Sequence, residues 1–346
     1  MIHSNISIFV PHLGCPHACS FCNQRIISGK TEIPHGEDVT RLLSEQTERI
    51  TDSERRKNTE IAFFGGSFTA IDREYRRELL SAAFPFTETG GGCFKGIRFS
   101  TRPDCIDGEI LEEAKGFGVT AIELGAQSMS DRVLEMNERG HSAEDVRLAS
   151  AMIREFGFEL GLQMMVGLYG STETDEYHTM TEIIKLRPDT ARIYPVSVLR
   201  GTKLAELYKS GEYVLYPFEK AVNICGVIYC AFTSAGIRVI RMGLHAEDGV
   251  EDNAVAGFYH PSFGEIVRSD IVKNVILKYY MSEKKDSFPI EICANSRLIG
   301  AVYGHKKSNR IYFEEKGIPV EISIDNNLKD NEISINKEVQ NVFKIT

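Results

Sequence analysis

The chain has 346 residues, 42% of them hydrophobic, with no Trp, eight Cys and 49 acidic against 40 basic side chains, a formal charge of −9. That length and hydrophobic share exclude wholesale disorder and predict a large buried core, in one big domain with a small second one. No apolar run approaches the ~20 residues that cross a bilayer, and the start has no basic segment leading into an apolar stretch and cleavage site. A cytoplasmic location without membrane association is expected, and there eight cysteines serve as ligands or buried thiols rather than as a disulfide framework. The acidic balance argues against indiscriminate nucleic-acid binding but leaves room for a local basic groove.

In chain order, strand-like runs are predicted at residues 6–10, 60–64, 96–100, 121–124, 159–166, 190–195 and 238–242. Each is followed by turn residues and a segment of helical period. One helix is fully marked: Ser142 with Asp145 forms a capping box, Val146, Ala149, Ile153 and Phe156 share a face, and Gly157 supplies the stop. Repeated β–α units imply parallel strands with helices outside, in a doubly wound sheet or a complete or partial barrel. In either case the site belongs at the C-terminal strand ends. The stretch 246–264 is polar, a helix over 266–279 is expected, and from about Phe288 the chain reads as short β segments at 290–294, 298–303, 310–314, 320–324 and 332–335. The expected division is therefore 1–245 for the main domain and 246–346 for an extension carrying a helix and a small β-rich subdomain.

The strongest chemical signal is Cys15-Pro-His-Ala-Cys19-Ser-Phe-Cys22, directly after the first strand. Three thiolates in this spacing can converge on one inorganic centre. Structural zinc needs a fourth ligand, which His17 or His12 can supply. A [4Fe–4S] cluster normally takes four Cys, so three would leave one iron open to an exogenous ligand. Cys225 and Cys230 sit in an apolar helical run and read as buried small hydrophobes.

This loop, with Phe21 before its last Cys, resembles that of the radical S-adenosylmethionine (SAM) enzymes, and further segments resemble the Elongator catalytic subunit branch of that family. They are Gly65-Gly66-Ser67-Phe68-Thr69, Ser100-Thr101-Arg102-Pro103-Asp104, Glu123-Leu-Gly-Ala-Gln127-Ser, Asn137-Glu-Arg139-Gly-His141, the fifth-strand run Gln163-Met-Met165-Val-Gly and Tyr194-Pro195 with Arg200-Gly-Thr202. The resemblance covers about residues 6–244. It implies an α/β fold, a partial (β/α) TIM-type barrel, and an enzyme whose [4Fe–4S] cluster reduces bound SAM to a 5′-deoxyadenosyl radical inside a closed apolar barrel.

By the same resemblance Cys15, Cys19 and Cys22 are the metal ligands. Phe21, Gly65, Gly66, Ser67, Ser100, Thr101, Gln127, Arg139, Met165 and Tyr194 are cofactor contacts, with Gln127 on the ribose, Arg139 on the methionine carboxylate and Met165 beside the adenine. Ser67 stands where the wider family has Glu. Expected partners are a tRNA or other RNA substrate and a one-electron donor such as flavodoxin or ferredoxin. No basic segment precedes the first strand and no pyrophosphate loop for acetyl-CoA is found, so the full wobble-uridine reaction of the Elongator branch is not expected. Tyr194, His245, Tyr259 and His260 are candidates for catalytic or substrate contacts; for isolated histidines a structural role is the more frequent outcome. Two other functions fit the same residues: radical SAM chemistry on a porphyrinogen-like small molecule, and a zinc-stabilised RNA-binding protein.

Overall fold

The computed structural model describes residues 4–10, 19–23, 26, 32–244, 250–282 and 289–344. Its strands are β1 (Ser4–Val10), β2 (Thr59–Gly65), β3 (Gly96–Thr101), β4 (Val119–Gln127), β5 (Glu159–Val166), β6 (Thr190–Pro195), β7 (Ser197–Leu199), β8 (Arg238–Met242), β9 (Ala254–Gly257), β10 (Ile290–Ala294), β11 (Val320–Ile324), β12 (Glu332–Ile335) and β13 (Glu338–Asn341). Seven of them form one sheet in the order β1-β2-β3-β4-β5-β6-β8, every neighbouring pair parallel. Crossover helices join them, as parallel pairing requires. β1 and β8 stand at opposite ends of this order, so the sheet is the expected partial barrel.

Strand alternation sorts the side chains. On the convex face Ile61, Phe63, Ile97, Phe99, Ile122, Leu124, Leu160 and Leu162 pack against helix residues such as Leu43, Leu79, Leu111, Val146 and Ile153 in one buried core. Local signals set the helices: Ser142 and Thr172 each close a capping box, with Asp145 and Asp175, and Asp72 and Asp107 cap two more. Gly157 takes φ +86°, the left-handed conformation that ends the helix Ala143–Glu155.

The concave face corrects the expectation of an apolar interior. Glu60, Arg98, Glu123 and Arg192 are buried there in one ion-pair chain. Arg98 Nε donates to Glu60 at 2.8 Å and Nη1 to Glu123 at 2.9 Å, while Arg192 reaches both Glu123 oxygens at 2.6 and 2.9 Å. Gly161 makes room, since a Cβ there would lie 2.6 Å from Glu123 Cγ. Burial works against the charge on Glu123, but Arg192 and Arg98 hold its pKa down to about 2. A charge so placed persists only because it is paired on both sides.

β7 pairs antiparallel with β9 beyond the end of β6. The helix Phe263–Ser282, longer than expected, packs on the helix Phe218–Ser234, with Phe218 and Phe263 edge to face at 5.9 Å and Ile271 over Gly226. The C-terminal segment then forms a four-stranded sheet, β11-β10-β12-β13. Two expected strands there are helices, Ile299–Tyr303 and Ser308–Glu315. Leu298 with Val302, and Asn309 with Phe313, are buried four residues apart, a helical rather than an alternating spacing. Among the described residues no helix is long and apolar enough to cross a membrane.

Candidate active site

The site lies where β1 to β6 end. Of the three motif cysteines, Cys19 and Cys22 are described; Cys15, like His12, His17 and His245, lies outside the described residues. Cys22 N donates to Cys19 O at 3.1 Å, closing a tight turn that sets both thiols on one loop. Ser20, between them, is buried: its N–H donates to Asn137 O at 3.1 Å, its hydroxyl to Asn137 Oδ1 at 2.8 Å, and its carbonyl accepts from Leu204 N at 2.8 Å.

Arg139 faces this loop. Its Nη1 donates to Cys19 Sγ at 3.0 Å, its Nη2 to Gly125 O at 2.7 Å, and its guanidinium lies 6.0 Å from the centre of the Phe21 ring. Phe21 itself packs in a small cluster with Met165 and Tyr169. Gly65, at φ +125°, is the residue that allows close approach of β1, because a Cβ there would sit 2.1 Å from Val10 O. Gly66 N donates to that same carbonyl at 3.3 Å.

The hydroxyls divide by strand alternation. Thr101 is buried and paired with Ser67 at 2.7 Å and Thr69 at 2.5 Å, and Ser67 also accepts Arg102 N at 3.2 Å. Ser100 points to the concave side and takes Gln163 Nε2 at 3.3 Å. Asp104 binds Arg102 through both oxygens, at 2.9 and 2.7 Å. Gln127 stands at a bulge of β4 with φ +64°, unusual for a non-glycine and held by its surroundings.

Among the described residues, four buried polar atoms of this pocket have no partner: Arg102 Nη1, Gln127 Oε1, Arg139 Nε and His141 Nδ1. Burial, then the charge of Arg139, pulls His141 down to about 4, so the ring is neutral near pH 7. Its Nε2 lies 3.3 Å from Ala126 O and so carries the proton, which leaves Nδ1 an acceptor. The pocket therefore presents both buried donors and buried acceptors, and such atoms in native proteins have partners. A ligand carrying a carboxylate together with amino or hydroxyl groups meets both requirements, as SAM does.

The other candidates are dispersed. Tyr194 is on the concave wall, where its hydroxyl takes Arg192 Nη1 at 3.3 Å. Tyr259 and His260 follow β9; His260 Nδ1 accepts Ser262 N at 3.0 Å and its ring packs on His305 at 5.1 Å. Burial, followed by the charge a protonated His305 would carry, lowers the His260 pKa, in keeping with a neutral ring that accepts Ser262 N just before the following helix.

A sequence model described as the radical SAM superfamily matches residues 9–183, and a second, described as the radical SAM C-terminal domain, matches 188–273. The chain belongs to the radical SAM superfamily. Among relatives of this radical SAM chain, the tRNA uridine(34) acetyltransferase of Methanocaldococcus jannaschii is 29% identical over 248 residues, covering 61% of this chain and 45% of its own. Human Elongator complex protein 3 is 31% identical over 201 residues, 53% of this chain and 37% of its own. The chain thus spans about half or less of the length of these relatives. The solved Methanocaldococcus infernus Elp3 lacking its N-terminus shares the fold at TM-score 0.63 and 22% identity, over 84% of this chain and 71% of that one.

Several residues of the site carry no role in the sequence reading: Ser20 and Asn137, the Glu123 and Arg192 pair, and the buried Glu176. Glu176 accepts Gly167 N at 2.8 Å and Ser171 Oγ at 2.9 Å and so holds the loop after β5. A charged residue inside an apolar strand was the available signal for Glu123 and Arg192. Asn137 lies in the Asn137–His141 motif, but two of its partners, Ser20 and Tyr169, are 117 and 32 positions away in the chain.

Proposed function

We propose that this chain binds a [4Fe–4S] cluster through Cys15, Cys19 and Cys22, binds SAM beside it, and modifies RNA, in the first instance a tRNA. The chemistry belongs to residues 1–245, with 246–346 packed against them as an extension. The observation that carries this reading is the set of buried, unpartnered donors and acceptors on Arg102, Gln127, Arg139 and His141, with Arg139 directly against Cys19. RNA is favoured as substrate by the similarity to tRNA uridine(34) acetyltransferases.

When bound, the reduced cluster would supply the electron that cleaves SAM and so a radical able to take hydrogen from a substrate. The chain's own residues bind and orient. Arg139 offers its remaining Nε–H to the methionine carboxylate, a charge-assisted contact held in place by Gly125 O. Gln127 Oε1 accepts from the ribose. Gly65 lets the backbone at the end of β2 come close to Val10 O, and the Ser67 and Thr101 hydroxyls bond to each other behind it. Phe21 and Met165 give an apolar flank, while Ser100 and Tyr194 line the concave wall. A one-electron donor such as flavodoxin or ferredoxin would supply the reducing electron.

The test is anaerobic reconstitution of the purified chain with iron, sulfide, SAM and dithionite. The expected result is 5′-deoxyadenosine from the wild type and none from Cys19→Ala. Nucleoside mass spectrometry of tRNA from cells with and without the gene should show one modified uridine that depends on it. Colourless protein holding zinc would overturn the reading.

A further inference from the structure

The residues 137–139 perform three different tasks in succession. Asn137 faces the cysteine loop, Glu138 takes the left-handed φ of +55°, and Arg139 turns back toward Cys19 and Gly125. Glu138 also pairs with Lys203 on the helix Lys203–Ser210, whose residue Leu204 binds Ser20 O. A non-glycine in this conformation costs energy and persists where neighbours on both sides dictate it.

Asn137 is completely buried and every polar atom it carries is used. Its carbonyl and Oδ1 accept the N–H and the hydroxyl of Ser20. Its Nδ2 donates to Val133 O at 2.8 Å and to Tyr169 O at 2.9 Å. The first pair of bonds fixes the leg of the loop between Cys19 and Cys22. The bond to Tyr169 fixes the loop after β5, whose other anchors include Glu176, on Gly167 N and Ser171, and Tyr213, which donates to Gly167 O. One side chain thus joins the segment that bears the thiols to the segment beside Met165.

We infer that Asn137, acting through Ser20, is the positioning residue that sets the Cys19–Cys22 leg against Arg139 before any metal arrives, and that it ties this leg to the loop after β5. The inference rests on the cluster reading above, and it adds a division of labour. The Oδ1 side of the amide governs the metal, and the Nδ2 side governs the SAM pocket. Groups that orient metal ligands from behind change metal retention when they are removed, by about 10- to 100-fold in affinity.

The experiment compares wild type with Ser20→Ala, Asn137→Asp and Asn137→Ala. Metal-free protein is alkylated with iodoacetamide and the rate at Cys19 and Cys22 is read by peptide mass spectrometry. Reconstituted protein is challenged with a chelator and titrated with SAM. Ser20→Ala is expected to speed alkylation and to speed loss of iron by about 10-fold or more, with SAM affinity of the loaded fraction little changed. Asn137→Asp keeps the acceptor for Ser20 and loses the donor to Tyr169, so it should retain iron and bind SAM more weakly. Asn137→Ala should show both defects; if it fails to fold, the other two variants decide. Alkylation and iron loss at wild-type rates in Ser20→Ala would overturn the inference. Wild-type protein that takes up no iron would overturn the cluster reading instead, while the alkylation rates still judge the role of Asn137.

Discussion

Arg139 and Cys19, 120 residues apart in sequence, meet at 3.0 Å, with the guanidinium donating to the sulfur. The same group donates to Gly125 O at 2.7 Å, so its position is set by the barrel rather than by the loop. A cation held this way complements the negative charge of a ligating thiolate and still has Nε–H to offer a ligand.

Loss of that planar donor set should be felt by SAM. Arg139→Gln is expected to raise the SAM Kd of reconstituted protein by about 10- to 100-fold, the range of a charge-assisted hydrogen bond. Arg139→Lys should recover only part of it, because an ammonium cannot replace the planar fork. Equilibrium dialysis with labelled SAM reads both, and unchanged affinity in Arg139→Gln would remove Arg139 from the site.

The ion-pair chain on the concave face predicts a stability effect. Glu123→Ala leaves Arg98 and Arg192 without their shared carboxylate and should cost about 3–5 kcal/mol in denaturant unfolding of the metal-free chain. Because its folded pKa lies near 2, below the ordinary value of 4.5, the stability that Glu123 contributes is present above pH 4.5. It is lost as the pH falls toward 2. The difference between wild type and variant should shrink over that window, and a constant difference would contradict the pairing.

Glu176 predicts the opposite slope. Burial raises its pKa to about 7 despite the hydrogen bonds from Gly167 and Ser171. An acid that ionises at higher pH when folded gives stability that falls as pH rises from about 4.5 to 7. Glu176→Gln retains an acceptor and cannot ionise, so it should gain on wild type by about 1–3 kcal/mol between pH 5 and 8. Parallel melting curves for the two proteins across that range would refute this.

His260 is predicted to be structural. His260→Asn keeps a side-chain acceptor for Ser262 N, just before the helix Phe263–Ser282, and should change the melting temperature little, while His260→Ala should cost about 1 kcal/mol. Both should still form 5′-deoxyadenosine at wild-type rates, and loss of SAM cleavage in His260→Asn would return this residue to the catalytic set.

Much of the fold is legible in the sequence where local chemistry is unambiguous. Strands 159–166, 190–195 and 238–242 stand at their expected bounds, and the Ser142–Asp145 box and Gly157 delimit their helix as read. The reading fails at 298–303 and 310–314, short apolar runs in which periodicity cannot tell a buried helix from a strand. It also fails inside the barrel, where Glu60, Arg98, Glu123 and Arg192 are individually out of place in apolar strands and acquire meaning only when the register brings them together. Ser20 and Asn137 escape for the same reason, since two small polar residues 117 positions apart carry no pattern.

The central claim is a three-cysteine cluster with a place for SAM, and the most direct measurement is electron paramagnetic resonance of the reduced, anaerobically reconstituted chain with and without SAM. The account predicts about four irons per chain, a signal that shifts when SAM is added, and loss of the signal in Cys19→Ala. A signal indifferent to SAM, or protein that carries zinc and no iron, would contradict it.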